Sequence, residues 1–189
     1  MEQNEQLIRQ LDTLFNPQSL AIVGIPRGLK TGKLFLLALR DTGYAGRIYP
    51  VHPEAAEIEG LKAYPDIAAI PEAVDLAIVL VPQHRSIPVV RACAEKGVKG
   101  VVLFTAGFKE THSDEGKAHE AELTDIARNS HMRIMGPNCM GVYCPKSGVS
   151  NFPELSTEPG PVGVISHSGS LTNILGRLGI GRGIRFSKV

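Results

Sequence analysis

The chain has 189 residues, 43% of them hydrophobic and 21% charged, and 20 basic against 19 acidic residues leave a formal net charge of +1. This composition is typical of a globular domain, and the evenly mixed charge argues against nucleic acid as a partner. Three cysteines without a CxxC pair argue against a disulfide framework and a zinc site. The lack of a long apolar run predicts a soluble protein that does not span a membrane, and the polar amino terminus does not resemble a signal peptide. The cysteine usage favours a reducing cytoplasm.

The predicted elements begin with a leading helix within residues 1–17, where Leu7, Leu11 and Leu14 have helical spacing. Short apolar runs then predict buried strands, and helical spacing of apolar residues predicts the segments between them. The strands are expected at 19–23, 47–51, 75–81, 100–104 and 132–135, and the helices at 33–40, 83–96 and 116–129. Residues 57–70 are less regular and are expected to form a loop or an irregular edge. This alternation predicts a doubly wound, Rossmann-like α/β domain over residues 18–143.

The remainder of the chain is predicted to leave that domain and begin another. Residues 144–161 contain four prolines and are expected to form an ordered, non-helical linker. Residues 162–189 then have the pattern of a strand, a turn, an amphipathic helix and part of a further strand. One such unit cannot bury a sheet on both faces, so we expect the chain to be a piece of a longer protein or complex.

The turns after the five predicted strands are alike in character. They contain GIPRG, HP, PQH, TAG and GPNCMG, all of them small, polar or backbone-exposing. In a doubly wound sheet, ligands bind outside the carboxyl ends of the strands. Glycine, proline and asparagine are also ordinary turn residues, but the agreement of five turns favours a binding crevice.

The glycine-rich turn after the first strand matches neither of two common phosphate-binding fingerprints. A P-loop would require glycine at Arg27 and a hydroxyl residue at Leu34, and the dinucleotide fingerprint would require glycine at Pro26 and Leu29. The second strand also ends in VHP instead of the acid that binds the ribose of NAD. Backbone N–H groups at a helix start, with Arg27 or Lys30 nearby, still suit some phosphate.

Taken together, six segments resemble the CoA-binding portion of the NDP-forming acyl-CoA synthetases, the superfamily of succinyl-CoA synthetase, and most of all its ADP-forming acetate–CoA ligase branch. The segments are LFNPQSLAIVGIPR, GRIYPVHP, VDLAIVLVP, GVVLFTAGFKE, MGPNCMG and VGVISHSGSL. The resemblance implies a CoA-binding domain followed by the start of a flavodoxin-like domain. The implied reaction converts an acid, CoA and NTP reversibly into acyl-CoA, NDP and phosphate through a phosphohistidine.

The resemblance also implies partners and a division of labour. CoA and a small carboxylic acid would be the ligands, and an ATP-grasp domain or subunit outside these residues would bind ATP or ADP with magnesium. The catalytic histidine would also lie outside them, so the chain is expected to bind CoA without turnover. Two alternatives stay open: a CoA-binding regulatory or sensor module, such as half of a protein acetyltransferase fusion, and an NAD-dependent oxidoreductase.

The resemblance assigns CoA-binding roles to residues of all five turns. Glu54 occupies a position at which family members often carry lysine for the 3′-phosphate of CoA, so His52 or a lysine from elsewhere is expected to replace it. The remaining assignments are Gly24, Pro26, Arg27 and Gly28 to the CoA phosphates, Val51 and Pro53 to the adenosine end, Val81, Pro82, Thr105, Ala106 and Gly107 to the pantetheine, and Asn138 and Cys139 to the region of the thiol.

The SHSG turn is expected to stabilise the phosphohistidine. The hydroxyls of Ser166 and Ser168 and the N–H of Gly169 would hold phosphoryl oxygens at the start of a helix. A serine-nucleophile elbow is disfavoured because residues 171–189 contain no histidine, aspartate or glutamate. His167 is expected to be a loop residue, and Cys139 an inert buried thiol, because free cysteines more often pack than react.

Overall fold

A five-stranded parallel sheet forms the centre of the computed structural model, which describes residues 2–25, 31–151 and 153–189. The strands are β1 (Ser19–Val23), β2 (Arg47–Val51), β5 (Leu76–Val79), β6 (Gly100–Leu103) and β7 (Arg133–Met135), in the spatial order β2-β1-β5-β6-β7. The helices are α1 (Glu2–Phe15), α2 (Thr31–Asp41), α3 (Gln83–Glu95) and α4 (Asp114–Ser130). The predicted doubly wound α/β fold is confirmed, with element ends shifted by one or two residues.

The three inner strands are buried on both faces, which explains why their sequences are continuously apolar. Alternate residues of each strand enter different cores. Leu20 and Ile22 of β1 pack with residues of α1 and α2, whereas Ala21 and Val23 pack in the core that contains α3 and α4. The helices therefore lie in pairs on opposite faces of the sheet.

Local sequence signals define several helix ends. The Ser113 hydroxyl accepts a hydrogen bond from the Gly116 N–H at 3.0 Å, and Asp114 and Glu115 occupy the first turn of α4. The helix ends at Ser130 and is followed by His131, which has a left-handed backbone with φ of 57°. Because all five strands are parallel, their carboxyl ends, and the turns that follow them, lie on one edge of the sheet.

Residues 57–70 are more regular than expected at their start. Strands β3 (Glu57–Ile58) and β4 (Leu61–Lys62) form a short antiparallel hairpin, and Tyr64 pairs with the end of β2. Two-residue strands are too short for alternation of apolar and polar residues to mark them. The hairpin and the loop after it extend the edge of the sheet beside β2.

Within residues 144–161, where the sequence predicts a linker, the chain first forms a hairpin of β8 (Tyr143–Cys144) and β9 (Val149–Ser150). The hairpin packs on α2, and the buried Thr42 hydroxyl donates to the Gly148 carbonyl at 2.5 Å. Its other side pairs with the chain end, because Tyr143 and Val189 exchange backbone hydrogen bonds of 2.9 Å. The hairpin thus contacts both parts of the chain.

The last part of the chain forms one parallel β-α-β unit of β10 (Val162–Gly163), α5 (Gly169–Gly181) and β11 (Phe186–Lys188). Four apolar side chains of α5 are about half exposed: Leu171, Ile174, Leu175 and Leu178. This is the strand, turn and amphipathic helix that the sequence predicts. Among the described residues, no helix combines the length and apolar character needed to cross a bilayer.

Candidate functional site

A cleft of about 370 Å³ opens at the carboxyl ends of β1, β2 and β5. The chain leaves β1 toward β2 on one side and returns to β5 on the other, so this is the point where the strand order reverses. Such crevices are the usual ligand sites of doubly wound sheets. Four residues assigned from the sequence line this cleft together: Gly24, Val51, Pro53 and Val81.

Gly24 keeps the space between the ends of β1 and β5 open. Its φ is +90°, and an added Cβ would lie 2.9 Å from the Val81 Cγ1 atom and 3.1 Å from the Val81 backbone nitrogen. Its N–H donates to the Val51 carbonyl at 3.2 Å. A side chain at this position would therefore strain the backbone and push against the wall of the cleft.

His52 organises the turn at the end of β2. Its Nδ1 atom accepts hydrogen bonds of 3.1 Å from the backbone N–H groups of Glu54 and Ala55. An accepting Nδ1 assigns the ring hydrogen to Nε2 in the neutral imidazole. His52 thus holds the turn next to Pro53, on one rim of the cleft.

Helix α3 forms a further wall of the cleft, which the sequence did not predict. Arg85, Pro88, Val89 and Ala92 line the cleft at helical spacing, and His84 lies beside them. The loop of Pro65, Asp66 and Ile67 closes the third side. The helical spacing of residues 85–92 can be recognised in the sequence, but nothing in the sequence indicates that the irregular loop reaches the cleft.

The turn after β6 continues the site away from the cleft. The Thr105 hydroxyl donates to the Val81 carbonyl at 2.6 Å, and the Thr105 carbonyl accepts from the Asn138 N–H at 3.0 Å. Ala106 is exposed, as is Pro82 at the start of α3. Hydrogen bonds thus connect the cleft to the turn that contains Asn138.

Glu110 holds the far side of the same turn. Its carboxylate accepts from the N–H groups of Gly107 at 2.7 Å and Phe108 at 3.1 Å. Desolvation by itself would raise the pKa of Glu110, but these donors outweigh it and the pKa is lowered. The carboxylate is therefore a fixed acceptor that shapes the turn.

The GPNCMG turn after β7 bends sharply around the end of β6. A Cβ on Gly136 would overlap the Leu103 carbonyl, and Asn138 has a left-handed backbone with φ of 49°. The Cys139 Sγ atom lies 3.3 Å from the Leu103 carbonyl oxygen and 3.5 Å from the Met135 carbonyl oxygen, so its single S–H has two acceptors within reach. Burial raises the pKa of this thiol, which fits the expected packing role and not that of a nucleophile.

The SHSG turn lies against the GPNCMG turn. Gly169 is so close to the Met140 side chain that an added Cβ on Gly169 would overlap it. Within the SHSG turn, the Ser168 hydroxyl caps α5 by accepting from the Leu171 N–H at 3.3 Å. The Ser166 hydroxyl accepts from the Ser168 N–H at 3.0 Å. Both hydroxyls therefore shape the turn, and His167 beside them is exposed.

Three residues assigned to the CoA phosphates, Pro26, Arg27 and Gly28, lie outside the described residues. Within the described ranges, no group of three histidine, cysteine, aspartate or glutamate residues is arranged to hold a metal ion. The residues that are described form one continuous edge from the cleft through Thr105 and Asn138 to Gly169.

Comparison with known proteins identifies relatives of this arrangement. A model described as "CoA binding domain" matches residues 18–145. The alpha subunit of ADP-forming acetate–CoA ligase II of Pyrococcus furiosus is 40% identical over 161 residues, which cover 85% of this chain and 35% of that protein. An ADP-forming acetate–CoA ligase of Archaeoglobus fulgidus is 37% identical over 171 residues, covering 89% of this chain and 25% of the relative.

Solved structures agree with these relatives. PH0766 of Pyrococcus horikoshii OT3 superimposes with a TM-score of 0.87 at 39% identity, over 94% of this chain and 41% of that one. An acetyl-coenzyme A synthetase of Ca. Korarchaeum cryptofilum, solved with phosphate and ADP, also has a TM-score of 0.87, at 34% identity over 94% of this chain and 38% of that one.

The chain thus spans about a third or less of the length of these curated relatives. Its matched segment contains the whole central sheet and the turns that form the cleft. The chain belongs to the CoA-binding domain family, with ADP-forming acetate–CoA ligases among its relatives.

Proposed function

We propose that this chain binds CoA in the cleft at the ends of β1, β2 and β5, as the CoA-binding part of an ADP-forming acid–CoA ligase. The observation that carries the proposal is the open crevice at Gly24, in a chain whose central domain matches the CoA-binding family. An apolar cleft floor of Val23, Val51 and Val81 suits the adenine ring, which binds by burial of a flat apolar face.

The rest of the CoA molecule would follow the edge of the sheet. Gly24 and the residues after it would approach the diphosphate, with Pro53 beside the adenosine and His52 holding the turn that carries it. The pantetheine would run past Pro82 and the turn of Thr105, Ala106 and Gly107. The hydrogen bonds from Val81 through Thr105 to Asn138 support this path.

The thiol of CoA would end near Asn138 and the SHSG turn. In the proposed reaction the CoA sulfur, and not Cys139, attacks the activated acyl group. The raised pKa of the Cys139 thiol and the two carbonyl acceptors within its reach support this assignment. Ser166, Ser168 and Gly169 would lie beside the phosphorylated histidine of the intact protein. The contact between Met140 and Gly169 supports this proposal, because it puts the SHSG turn next to the turn that contains Asn138.

The intact protein would convert a small carboxylic acid, CoA and ATP into acyl-CoA, ADP and phosphate. The nucleotide and magnesium would bind an ATP-grasp domain or subunit. A phosphohistidine would carry the phosphoryl group between that part and the acid. The names and the coverage of the relatives support a ligase in which this chain corresponds to one part.

Binding of CoA is tested by calorimetric titration of the 189-residue chain with CoA, NAD and ATP, with melting temperatures measured in parallel. A ligand that binds the folded state raises its apparent stability by mass action. We expect binding and a higher melting temperature with CoA alone. Binding of NAD without CoA would refute the proposal and favour an oxidoreductase.

A second experiment tests the ligase proposal on the intact protein. ATP labelled at the γ-phosphate should transfer its label to a histidine, and the label should leave as phosphate when an acid and CoA react. A protein that binds CoA but is never labelled would instead be a CoA-binding regulatory module.

A further inference from the structure

We infer that Arg85 binds the 3′-phosphate of CoA and thereby selects CoA over dephospho-CoA. The inference rests on the proposed function and adds a residue of α3 to a site that the sequence placed in the turns. Arg85 lines the cleft from helix α3, and Pro53 lines it from the turn at the end of β2.

The turn at the end of β2 is poorly suited to bind this phosphate. The Nδ1 atom of His52 accepts two backbone N–H groups, and Glu54 carries an acidic side chain. Asp66 places a second carboxyl group on the loop wall, where its Oδ1 atom accepts the Ala69 N–H at 2.8 Å. These acids would repel a phosphate, so the favourable side of the cleft is the α3 wall.

Three lysines on neighbouring elements already have partners, two of them near this edge of the sheet and Lys96 at the far end of α3. Lys33 forms an ion pair with Glu59 at 2.5 Å, and the Lys62 ammonium lies over the Tyr64 ring, 5.1 Å from its centroid. The Lys96 ammonium donates to the Ile70 carbonyl. Each would have to give up a contact in order to bind a ligand.

Arg85 differs from them in position and in pairing. It shares the cleft-facing side of α3 with Pro88, Val89 and Ala92. Within the part of the chain that the structure describes, its guanidinium has no ion pair or hydrogen bond, whereas Arg91 on the same helix pairs with Glu122. A guanidinium presents a planar set of donors that matches the oxygens of a phosphate. His84, which also lines the cleft, adds a polar ring beside it.

The test is calorimetric titration of the 189-residue chain, as wild type and as R85Q, R85K and R91Q, with CoA and with dephospho-CoA. Adenosine 3′,5′-bisphosphate serves as a probe of the nucleotide end alone. We expect R85Q to bind CoA roughly ten- to hundredfold more weakly, the range for loss of a charge-assisted hydrogen bond, and to bind dephospho-CoA as wild type does. R85K should recover part of the loss, and R91Q should leave both affinities unchanged.

The outcomes separate this inference from the proposed function. A wild type that binds CoA and dephospho-CoA equally well, or an R85Q variant that keeps the wild-type preference, would overturn the role of Arg85 alone. A wild type that binds neither ligand would overturn the proposed function together with it. Melting temperatures of the variants check folding, and because dephospho-CoA is an internal reference, a general loss of binding by R85Q would also count against a phosphate-specific role.

Discussion

Replacing Gly24 by alanine is expected to destabilise the fold and to weaken CoA binding at the same time. Two physical effects add. At a φ of +90° an alanine is strained, which costs about 1–2 kcal/mol. The new methyl group also lies 2.9 Å from the Val81 Cγ1 atom and 3.2 Å from the Leu80 carbonyl carbon, and overpacking of this kind costs about 1–3 kcal/mol. The expected total is about 2–5 kcal/mol in the free energy of unfolding.

Gly97 provides the matched control, because it has a φ of +79° at the end of α3 and no atom within 4 Å of its added Cβ. G97A therefore has the backbone strain without the overpacking, and should cost only about 1–2 kcal/mol. Urea denaturation of wild type, G24A and G97A gives the three free energies of unfolding, and these are compared directly when their dependence on urea concentration is similar. Calorimetric titration with CoA then measures binding by each folded variant.

The difference between the two variants isolates the contact with Val81. A G24A protein no less stable than G97A would contradict this prediction, since the close approach would then have no energetic consequence. A G24A protein that is destabilised as expected but binds CoA like wild type would preserve the packing argument and remove Gly24 from the binding site.

Three further predictions concern other parts of the molecule. The pKa of Asp75 is lowered, because the Lys99 ammonium and the Gln18 N–H outweigh the desolvation that would raise it. Its carboxylate therefore stabilises the fold above about pH 4, and this stabilisation is lost as pH falls through the lowered pKa. By urea denaturation, D75N should lower the free energy of unfolding by about 1–2 kcal/mol at pH 7 and by progressively less below about pH 4. A difference between D75N and wild type that does not depend on pH would contradict this. T42V should lower the free energy of unfolding by about 1–3 kcal/mol, because the buried Gly148 carbonyl loses its donor. The control T124V removes an exposed bond to the Glu120 carbonyl and should stay within about 0.5 kcal/mol of wild type. Equal effects of the two substitutions would count against the anchoring of the hairpin. C139A should bind CoA with unchanged affinity, and peptide mapping after brief thiol labelling at neutral pH should find little modified Cys139, since burial raises its pKa; rapid labelling would show an accessible thiolate.

The order and type of the main elements could be predicted because they depend on local pattern. Residues 20–23 and 76–79 are apolar at every position, and in the structure both runs are inner strands covered on both faces. The hairpin of residues 57–62 could not be read in this way, because two residues per strand do not establish a period.

The candidate site was predictable to the extent that it consists of turns. Gly24, Val51, Pro53 and Val81 follow from the rule that ligands bind at the carboxyl ends of the strands, and these four line one cleft. This rule does not predict Arg85 or Asp66, because Arg85 lies on a helix and Asp66 lies in an irregular loop. Neither position indicates by itself that it faces the end of β1.

Local sequence was therefore enough to predict the alternating strands and helices, the family, and the glycines at which the backbone must turn or approach another strand. Each of these depends on neighbouring residues or on a contiguous motif. Which distant segments of the chain contact one another could be seen only in the folded molecule. The sheet order brings β1 between β2 and β5, so that α3 and the loop of residues 65–67 line one cleft together. The contact between Met140 and Gly169 likewise joins two turns that are far apart in the sequence. Such pairings depend on the direction of side chains across the folded sheet, which no local pattern encodes.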